Sequence, residues 1–478
     1  MASERPRGAK IVATLGPASA DERTIRSMIE AGLDVARLNF SHGDHETLAR
    51  MVAAVRAAQE AADKPLAILG DLQGSKIRIG KLAAPLALSV GASLRISVEA
   101  GHEEPGTVSA DYAGLAEDVH PGDRIFVKDG EIELEVQDVR GPVIETLVRM
   151  GGTLTSRAGM NVPGVSLRLP TLTVKDAADM RFAVEQGMDY LALSFVRRAS
   201  DLAEARAALA EMGTDVGLIA KIENALALEN LDGIVQGSDG VMVARGDLGV
   251  EVGPEHVPIW QRRMIGAGNE QLVPVIIATQ MLESMVGNVR PTRAEASDVA
   301  NAVWDGADAL MLSAETAIGA YPVETVAMMD RIIRRAEESE GDRHTPTFEV
   351  EWRRDPSRSV SWAVRSIVEQ NPSLRGVVAF TMSGYTARLI AKDRMAVPVL
   401  VLAPEAAVEQ RAALLWGIKP VPCPPPGDLE TMLQAVNEAA RAHLGCADGD
   451  AVVVVGGIPL GQGEPTNFLK VHTVGENP

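Results

Sequence analysis

Cysteine is nearly missing from this 478-residue chain, with only Cys423 and Cys446 present. A chain so poor in cysteine has no disulfide framework, which predicts a reducing cytoplasmic setting. No apolar run approaches the roughly 18 residues of a membrane span, and residues 1–10 carry charge without the apolar core of a signal peptide. Basic residues are in deficit, 46 Lys and Arg against 65 Asp and Glu, for a net charge of -19. That balance argues against nucleic acid or an anionic membrane as a partner. An anionic substrate would need positive charge concentrated locally. No Walker A sequence and no GxGxxG fingerprint follows any apolar run, so a nucleotide, if bound, is held another way. Solenoid repeats and low-complexity tracts are also lacking. A soluble cytoplasmic protein is predicted.

What the chain does have is eight short apolar runs, at 10–15, 34–38, 65–69, 190–193, 216–220, 240–244, 274–278 and 309–312. Amphipathic stretches long enough for helices lie between most of them. This alternation predicts a parallel (β/α)₈ barrel, whose strands are buried on both faces. Polar residues follow the runs: Asn39 and Ser41, Asp71, Ser194, Lys221 and Glu223, Asp247, Thr279, then Ser313 and Glu315. In such a barrel the C-terminal strand ends form the active-site rim, so these scattered residues converge on one place. The chain therefore reads as an enzyme.

Its length suits about three domains. The barrel takes residues 1–80 and 176–340. Between them, 81–175 switches to period two, and Asp129-Gly130 is a strong hairpin signal. This predicts an inserted small β-barrel domain above the site, either a mobile lid or a rigid decoration. Residues 341–478 bring fresh apolar strands at 376–380, 398–402 and 451–455, an open α/β domain of their own. Pro422 and Pro424 to Pro426 read as a rigid surface turn there.

The strand-end residues suit phosphoryl chemistry. Lys221 and Glu223 are two apart and share a face of their strand. Glu223 and Asp247, on successive strands, could share a Mg²⁺ with substrate oxygens. A Lys–Glu ion pair closing the barrel mouth is the alternative, and convergence with Asp247 favours the metal. Gly246 and Gly249 let backbone N–H groups approach an anion. Arg37, Asn39 and Ser41 alternate onto one face, where Asp71 could complete a cation cluster. His42 reads equally as a loop residue or a nucleotide contact, and Thr279 as a water-orienting hydroxyl or a buried threonine bonded to a carbonyl. Thr292 to Glu295 form a capping box, and Arg290 and Arg293 read either as solvated loop charges, the favoured reading, or as groups reaching the site or a neighbouring subunit. Thr381, Ser383, Gly384 and Thr386 sit between a strand and a helix and form a candidate phosphate cradle for an effector.

Several of these stretches, in the same order, resemble the pyruvate kinases over almost the full length. They include Thr14-Leu15-Gly16-Pro17-Ala18, Arg37-Leu38-Asn39-Phe40-Ser41-His42-Gly43, Lys221-Ile222-Glu223-Asn224, Ala244-Arg245-Gly246-Asp247-Leu248-Gly249, Ala278-Thr279-Gln280-Met281 and Arg290-Pro291-Thr292-Arg293-Ala294-Glu295. The resemblance implies transfer of the phosphoryl group of phosphoenolpyruvate to ADP, giving pyruvate and ATP in glycolysis. It implies Mg²⁺, with Mn²⁺ as a substitute, on Glu223 and Asp247. Lys221 and Arg37 would neutralise the phosphoryl group, and the Gly246–Asp247 backbone would bind the substrate carboxylate. Thr279 would support protonation of the enolate through water. Arg78 would contact phosphates, with Asn39 and His42 near the nucleotide. It further implies a homotetramer and an activator, AMP or a sugar phosphate, at the Thr381–Thr386 loop, with Gly461-Gln462-Gly463 as a facing wall.

One departure from the family's commonest pattern stands out. Where many members read Asp-Thr-Lys-Gly-Pro-Glu-Ile-Arg-Thr, this chain reads Asp71-Leu72-Gln73-Gly74-Ser75-Lys76-Ile77-Arg78-Ile79. The usual form takes K⁺ at positions matching Asn39, Ser41, Asp71 and the Leu72 carbonyl. Lys76 in place of Glu resembles the K⁺-independent subgroup, its ammonium supplying the missing charge. Arg168, Ala314 and Ile318 also depart, replacing the usual Asp, Gly and Lys. Two rivals are a Mg²⁺-dependent aldolase or lyase barrel, which needs neither lid nor C-terminal domain, and an inactive metabolite sensor.

Overall fold

The computed structural model describes residues 7–99, 106–165, 167–339, 355–460 and 464–476. The eight apolar runs become β1 (Lys10–Thr14), β2 (Val35–Asn39), β3 (Ala67–Asp71), β4 (Tyr190–Leu193), β5 (Gly217–Ile222), β6 (Gly240–Ala244), β7 (Val275–Ala278) and β8 (Ala309–Leu312). They form a closed barrel in chain order, β1 pairing in parallel with both β2 and β8. Alternate side chains explain the unbroken apolar runs. Val12, Val35, Leu69, Ile219, Met242 and Ile276 fill the interior, while Ile11, Ala36, Ile68, Leu218, Val243 and Ile277 pack under the helices.

Several strands run further than their apolar cores. Pairing continues through Asn39 opposite Asp71 and through Lys221 opposite Met242, so these polar residues lie inside strands. A strand gives a side chain a fixed direction, which matters for the charges at this rim.

Between β3 and β4 lies a seven-stranded sheet with its own core. Asp129-Gly130 makes the turn between strands Arg124–Val127 and Ile132–Arg140, with φ of 53° and 90°. A bridge between Ile79 and Ala110 joins the sheet's two end strands, so the sheet closes on itself. Its first strand, Ile77–Arg78, starts ahead of the boundary expected at 81, because Arg78 pairs with Gly159.

The C-terminal domain holds β9 (Val377–Phe380), β10 (Val399–Ala403), β11 (Ile418–Pro422), β12 (Ala451–Gly456) and β13 (Phe468–Thr473), ordered 11-10-9-12-13. The edge strands β11 and β13 were not anticipated. Pro420 and Pro422 lie in β11, tolerated on an edge where one N–H row needs no partner, so Pro422 closes a strand. This domain docks on the barrel's N-terminal face. Lys392, 2 % exposed, reaches Asp308 just before β8 at 2.6 Å, and Lys10 at the start of β1 donates to the Ile418 carbonyl at 2.7 Å. No described helix is long and apolar enough to cross a membrane.

Candidate active site

At the C-terminal ends of the strands, Arg37 and Lys221 converge on one carboxylate. Arg37 places Nε at 2.8 Å and a terminal nitrogen at 2.7 Å from Asp71 Oδ2, and donates to Thr14 Oγ1 at 2.8 Å. Lys221 Nζ lies 3.2 Å from Asp71 Oδ1 and 3.0 Å from Glu223 Oε1. It also donates to Ser194 Oγ at 2.7 Å, which in turn donates to the Leu72 carbonyl at 2.8 Å. All four charged groups are largely sealed from water, Asp71 at 1 % exposure and Glu223 at 2 %.

The electrostatics follow. Burial works against ionisation of Asp71, but Lys221 and Arg37 outweigh it and hold the carboxyl below its ordinary value. Burial likewise opposes the Lys221 ammonium, and Asp71 with Glu223 raises it above the usual lysine range. Glu223 goes the other way: burial, opposed by Lys221 and helped by Asp247, pushes its carboxyl up. Its Oε2 accepts the Phe195 N–H at 2.7 Å.

Asp247 opens the short helix Arg245–Val252 directly after β6. Its Oδ1 lies 2.7 Å from Lys76 Nζ, which also lies 3.4 Å from Asp129 in the lid hairpin. Lys76 therefore joins lid and barrel at the carboxylate. Burial opposes its charge, yet Asp247 and Asp129 raise the ammonium above its ordinary value. Nearby, Thr279 takes a φ of 69°, unusual for a β-branched residue and a mark of local strain. Its Oγ1 donates to the Ala278 carbonyl at 2.5 Å and accepts the Gly246 N–H at 3.1 Å. Arg245 fixes this turn through the Thr279 carbonyl at 2.6 Å and Asp298 at 2.8 Å.

Glu223 and Asp247 repel each other, and a hard divalent cation between them would relieve that repulsion. Among the described residues there is no cluster of three or more metal-binding side chains. A cation there would draw its remaining ligands from substrate and water, which suits Mg²⁺.

Other sequence candidates are placed less centrally. Asn39 Oδ1 accepts the Ser41 N–H at 3.0 Å, and His42 stands exposed in the following turn. Arg78 belongs to the lid sheet, its guanidinium donating to the Arg157 carbonyl at 3.1 Å. Glu315, fully buried, accepts the backbone N–H groups of Leu282 and Ser313 at 3.1 and 2.6 Å, a structural task. Ala314 begins a short helix without positive φ, so no glycine is needed there. In the C-terminal domain, Thr381, Ser383 and Thr386 line a cavity of about 340 Å³. Gly384 has φ 81° and donates to Thr381 Oγ1 at 3.0 Å, while Thr386 bonds Thr466 at 2.9 Å. Gly461-Gln462-Gly463 lie outside the described residues. Sequence reasoning gave no special place to Ser194, which links Lys221 to Leu72; its position after an apolar run was the one signal available.

Fold and rim together define a (β/α)₈-barrel enzyme with preset positive charge for an anionic substrate and a carboxylate pair for a hard cation. Comparison with known proteins narrows this. Residues 6–326 match the pyruvate kinase barrel domain and 358–472 the pyruvate kinase alpha/beta domain. The chain is 43 % identical over 472 residues to a pyruvate kinase of Corynebacterium glutamicum, covering 98 % of both. It is 41 % identical over 472 residues to one of Mycobacterium tuberculosis, covering 98 % of this chain and 99 % of that one. With the pyruvate kinase of Sporosarcina psychrophila it shares 41 % identity over 477 residues, 98 % of this chain and 81 % of the relative. The chain belongs to the pyruvate kinase family.

Proposed function

We propose that this enzyme transfers the phosphoryl group of phosphoenolpyruvate to ADP, with Mg²⁺ held by Glu223 and Asp247, and that it does so without K⁺. The observation that carries the reading is the buried pairing of Arg37 and Lys221 on Asp71 at the strand ends. In the reaction a terminal oxygen of ADP attacks phosphorus. The bond from phosphorus to the enol oxygen breaks and leaves its electron pair there, and the enolate then takes a proton at its methylene carbon. ATP and pyruvate result. Such a transfer needs positioning and charge more than a covalent nucleophile.

Arg37 and Lys221 are oriented by Asp71 before substrate arrives, so little reorganisation is needed when charge moves. Backbone N–H groups at Gly246 and Asp247 take the substrate carboxylate at a helix start, the Gly246 N–H leaving Thr279 Oγ1 to do so. The Thr279 hydroxyl orients the water that protonates the enolate. Bound Mg²⁺ would supply Lewis-acid stabilisation of the phosphoryl and enolate oxygens. Asn39, His42 and Arg78 serve the nucleotide as the lid moves.

Freedom from K⁺ is supported by what the candidate ligand atoms already do. Arg37 and Lys221 engage Asp71, Ser194 donates to the Leu72 carbonyl, and the Asn39 oxygen accepts from Ser41. Lys76 adds its charge from the Asp247 side of the site. We further assign a cytoplasmic homotetramer, activated by AMP or a sugar phosphate at Thr381, Ser383, Gly384 and Thr386. Pyruvate formation from phosphoenolpyruvate and ADP with Mg²⁺, in K⁺-free buffer and again with K⁺, tests the core reading. Equal turnover supports both parts. Turnover only with K⁺ retains the transfer and discards the role of Lys76, and no turnover in either buffer overturns the reading.

A further inference from the structure

Arg168, one of the departures from the family pattern, lies on the linker that returns from the lid, between strand Gly159–Asn161 and helix Val174–Glu185. No strand or helix lies between those two among the described residues, so the linker's backbone carbonyls need donors from outside a sheet ladder. Arg197 of the barrel supplies them. Its guanidinium donates to the Leu169 carbonyl at 2.9 Å and to the Leu167 carbonyl at 3.3 Å. Arg168, between those two, turns the other way. Its side chain donates to Asp118 and Glu117 of the lid helix Leu115–Asp118, each at 2.7 Å, and its N–H reaches Asp118 at 3.2 Å. Three consecutive residues thus bond to the barrel, the lid and the barrel in turn.

The barrel end of this strap is anchored in the phosphoryl site. Arg197 stands in the loop after β4, and the end of β5 is bonded to that loop residue by residue. Lys221 donates to Ser194 Oγ at 2.7 Å, Glu223 accepts the Phe195 N–H at 2.7 Å, and the Asn224 amide donates to the Val196 carbonyl at 3.0 Å. Within the loop Phe195 takes a φ of 56°, a strained conformation that this stitching holds in place. Asp201, largely buried, accepts the Arg197 N–H at 2.8 Å and the hydroxyl of Thr171 on the linker at 3.2 Å. A continuous path of bonds therefore runs from Lys221 and Glu223 to Asp118 in the lid.

We propose that Arg197 is a positioning residue for the transfer and that, with Arg168, it sets where the lid stands over Lys221 and Glu223. It touches no reacting atom. It holds the Leu167 and Leu169 carbonyls at a fixed place beside the phosphoryl site, and Arg168 carries that place to the lid. The consequence for the reaction rests on the phosphoryl-transfer function proposed for this site. There the groups for phosphoenolpyruvate all belong to the barrel, whereas Arg78 of the lid sheet serves the nucleotide. A lid that wanders spoils the placing of the nucleotide and leaves phosphoenolpyruvate bound. A displacement of about 1 Å is enough to cost about 10²-fold in rate.

Double electron–electron resonance reads the lid's position directly, with spin labels at Val90→Cys in an exposed lid turn and Glu211→Cys at the exposed end of helix Ala199–Glu211. Both native cysteines are buried, and labelled chains are diluted with unlabelled ones so that each distance lies within one chain. The labelled parent should give one narrow distance. Arg197→Met and Arg168→Ala should each broaden it, and Arg197→Lys, which keeps a charged donor, should restore most of it. In turnover, Arg197→Met should raise KM for ADP about tenfold, the worth of one hydrogen bond from a charged group, and lower kcat, with KM for phosphoenolpyruvate unchanged. The two arginines act in series, so the double variant should lose no more than Arg197→Met alone. Circular dichroism checks folding, and the exposed Arg168→Ala carries the test should Arg197→Met prove unfolded. A distance as narrow in the folded variants as in the parent overturns the strap. An equal rise in KM for both substrates, or a broadened distance with KM for ADP and kcat unchanged, overturns the positioning role. With no turnover in the parent the proposed function falls, and the strap stands or falls on the distances.

Discussion

Replacing Asp71 by Asn probes the centre of the site with almost no change of shape. The carboxylate accepts two bonds from Arg37, at 2.8 and 2.7 Å, and faces Lys221 at 3.2 Å. Asn removes the charge and turns one oxygen into a donor pointed at a cation. Lys221 would then keep Glu223 alone, and Arg37 only the neutral Thr14 hydroxyl. Breaking a buried pair in this way costs about 3–5 kcal/mol, a shift of a hundredfold or more (roughly) in the unfolding equilibrium. Arg37 and Lys221 also lose their aim, at an expected cost of about 10²–10³ in kcat. The pH dependence has a definite sign. The folded carboxyl is held below its ordinary value, so its stabilisation is present above about pH 4 and is lost as pH falls through the folded value. Urea denaturation of Asp71→Asn and the unmodified protein should therefore differ at pH 7 and converge in acid. A difference under about 1 kcal/mol at pH 7, with kcat kept within tenfold (roughly), would refute the argument, since both lie well below the expected costs.

Lys76→Glu should make turnover depend on added K⁺, read as pyruvate formation across a KCl titration; a variant equally active without K⁺ sinks the proposed substitution. Burial pushes the Glu251 carboxyl up to about 7 from 4.5. Its stabilisation is thus full below 4.5 and lost as pH rises through about 7, worth about 3 kcal/mol. Glu251→Gln should lack that loss, gaining stability over the unmodified protein in denaturant melts at pH 8 but not at pH 4.5. Thr279→Gly removes a hydroxyl and relieves the positive φ. Stability should hold or rise while kcat and proton exchange at the pyruvate methyl fall about 10²-fold, and Thr279→Ser should retain both; a fully active glycine variant would exclude the proton role.

The barrel was readable because each strand carries its own evidence of burial. Apolar runs such as 240–244 and 309–312 match their strands to the residue, β6 at Gly240–Ala244 and β8 at Ala309–Leu312. The rim was readable for a related reason, as polar residues ending buried parallel strands must face the same end of the barrel. Edge strands β11 and β13 escaped notice. Prolines disguise the first, and Lys470 and His472 interrupt the apolar pattern of the second. Partnerships across the rim were also hidden. Lys76 and Asp247 stand 171 positions apart, and the inserted lid separates the loop after β3 from the loop after β6 in sequence but not in space.

Local pattern alone determined the fold class, the inserted β unit, the C-terminal α/β layer and the residue types that the rim presents, since burial and backbone period are properties of short segments. The tertiary structure decided who meets whom. It set Arg37 and Lys221 on a shared Asp71 and gave Ser194 a place between Lys221 and Leu72. It also turned Lys76 toward Asp247. Charge pairing and hydrogen bonding act over a few ångströms in space, and only the closed barrel with its lid in place brings those strand ends and linkers within that range.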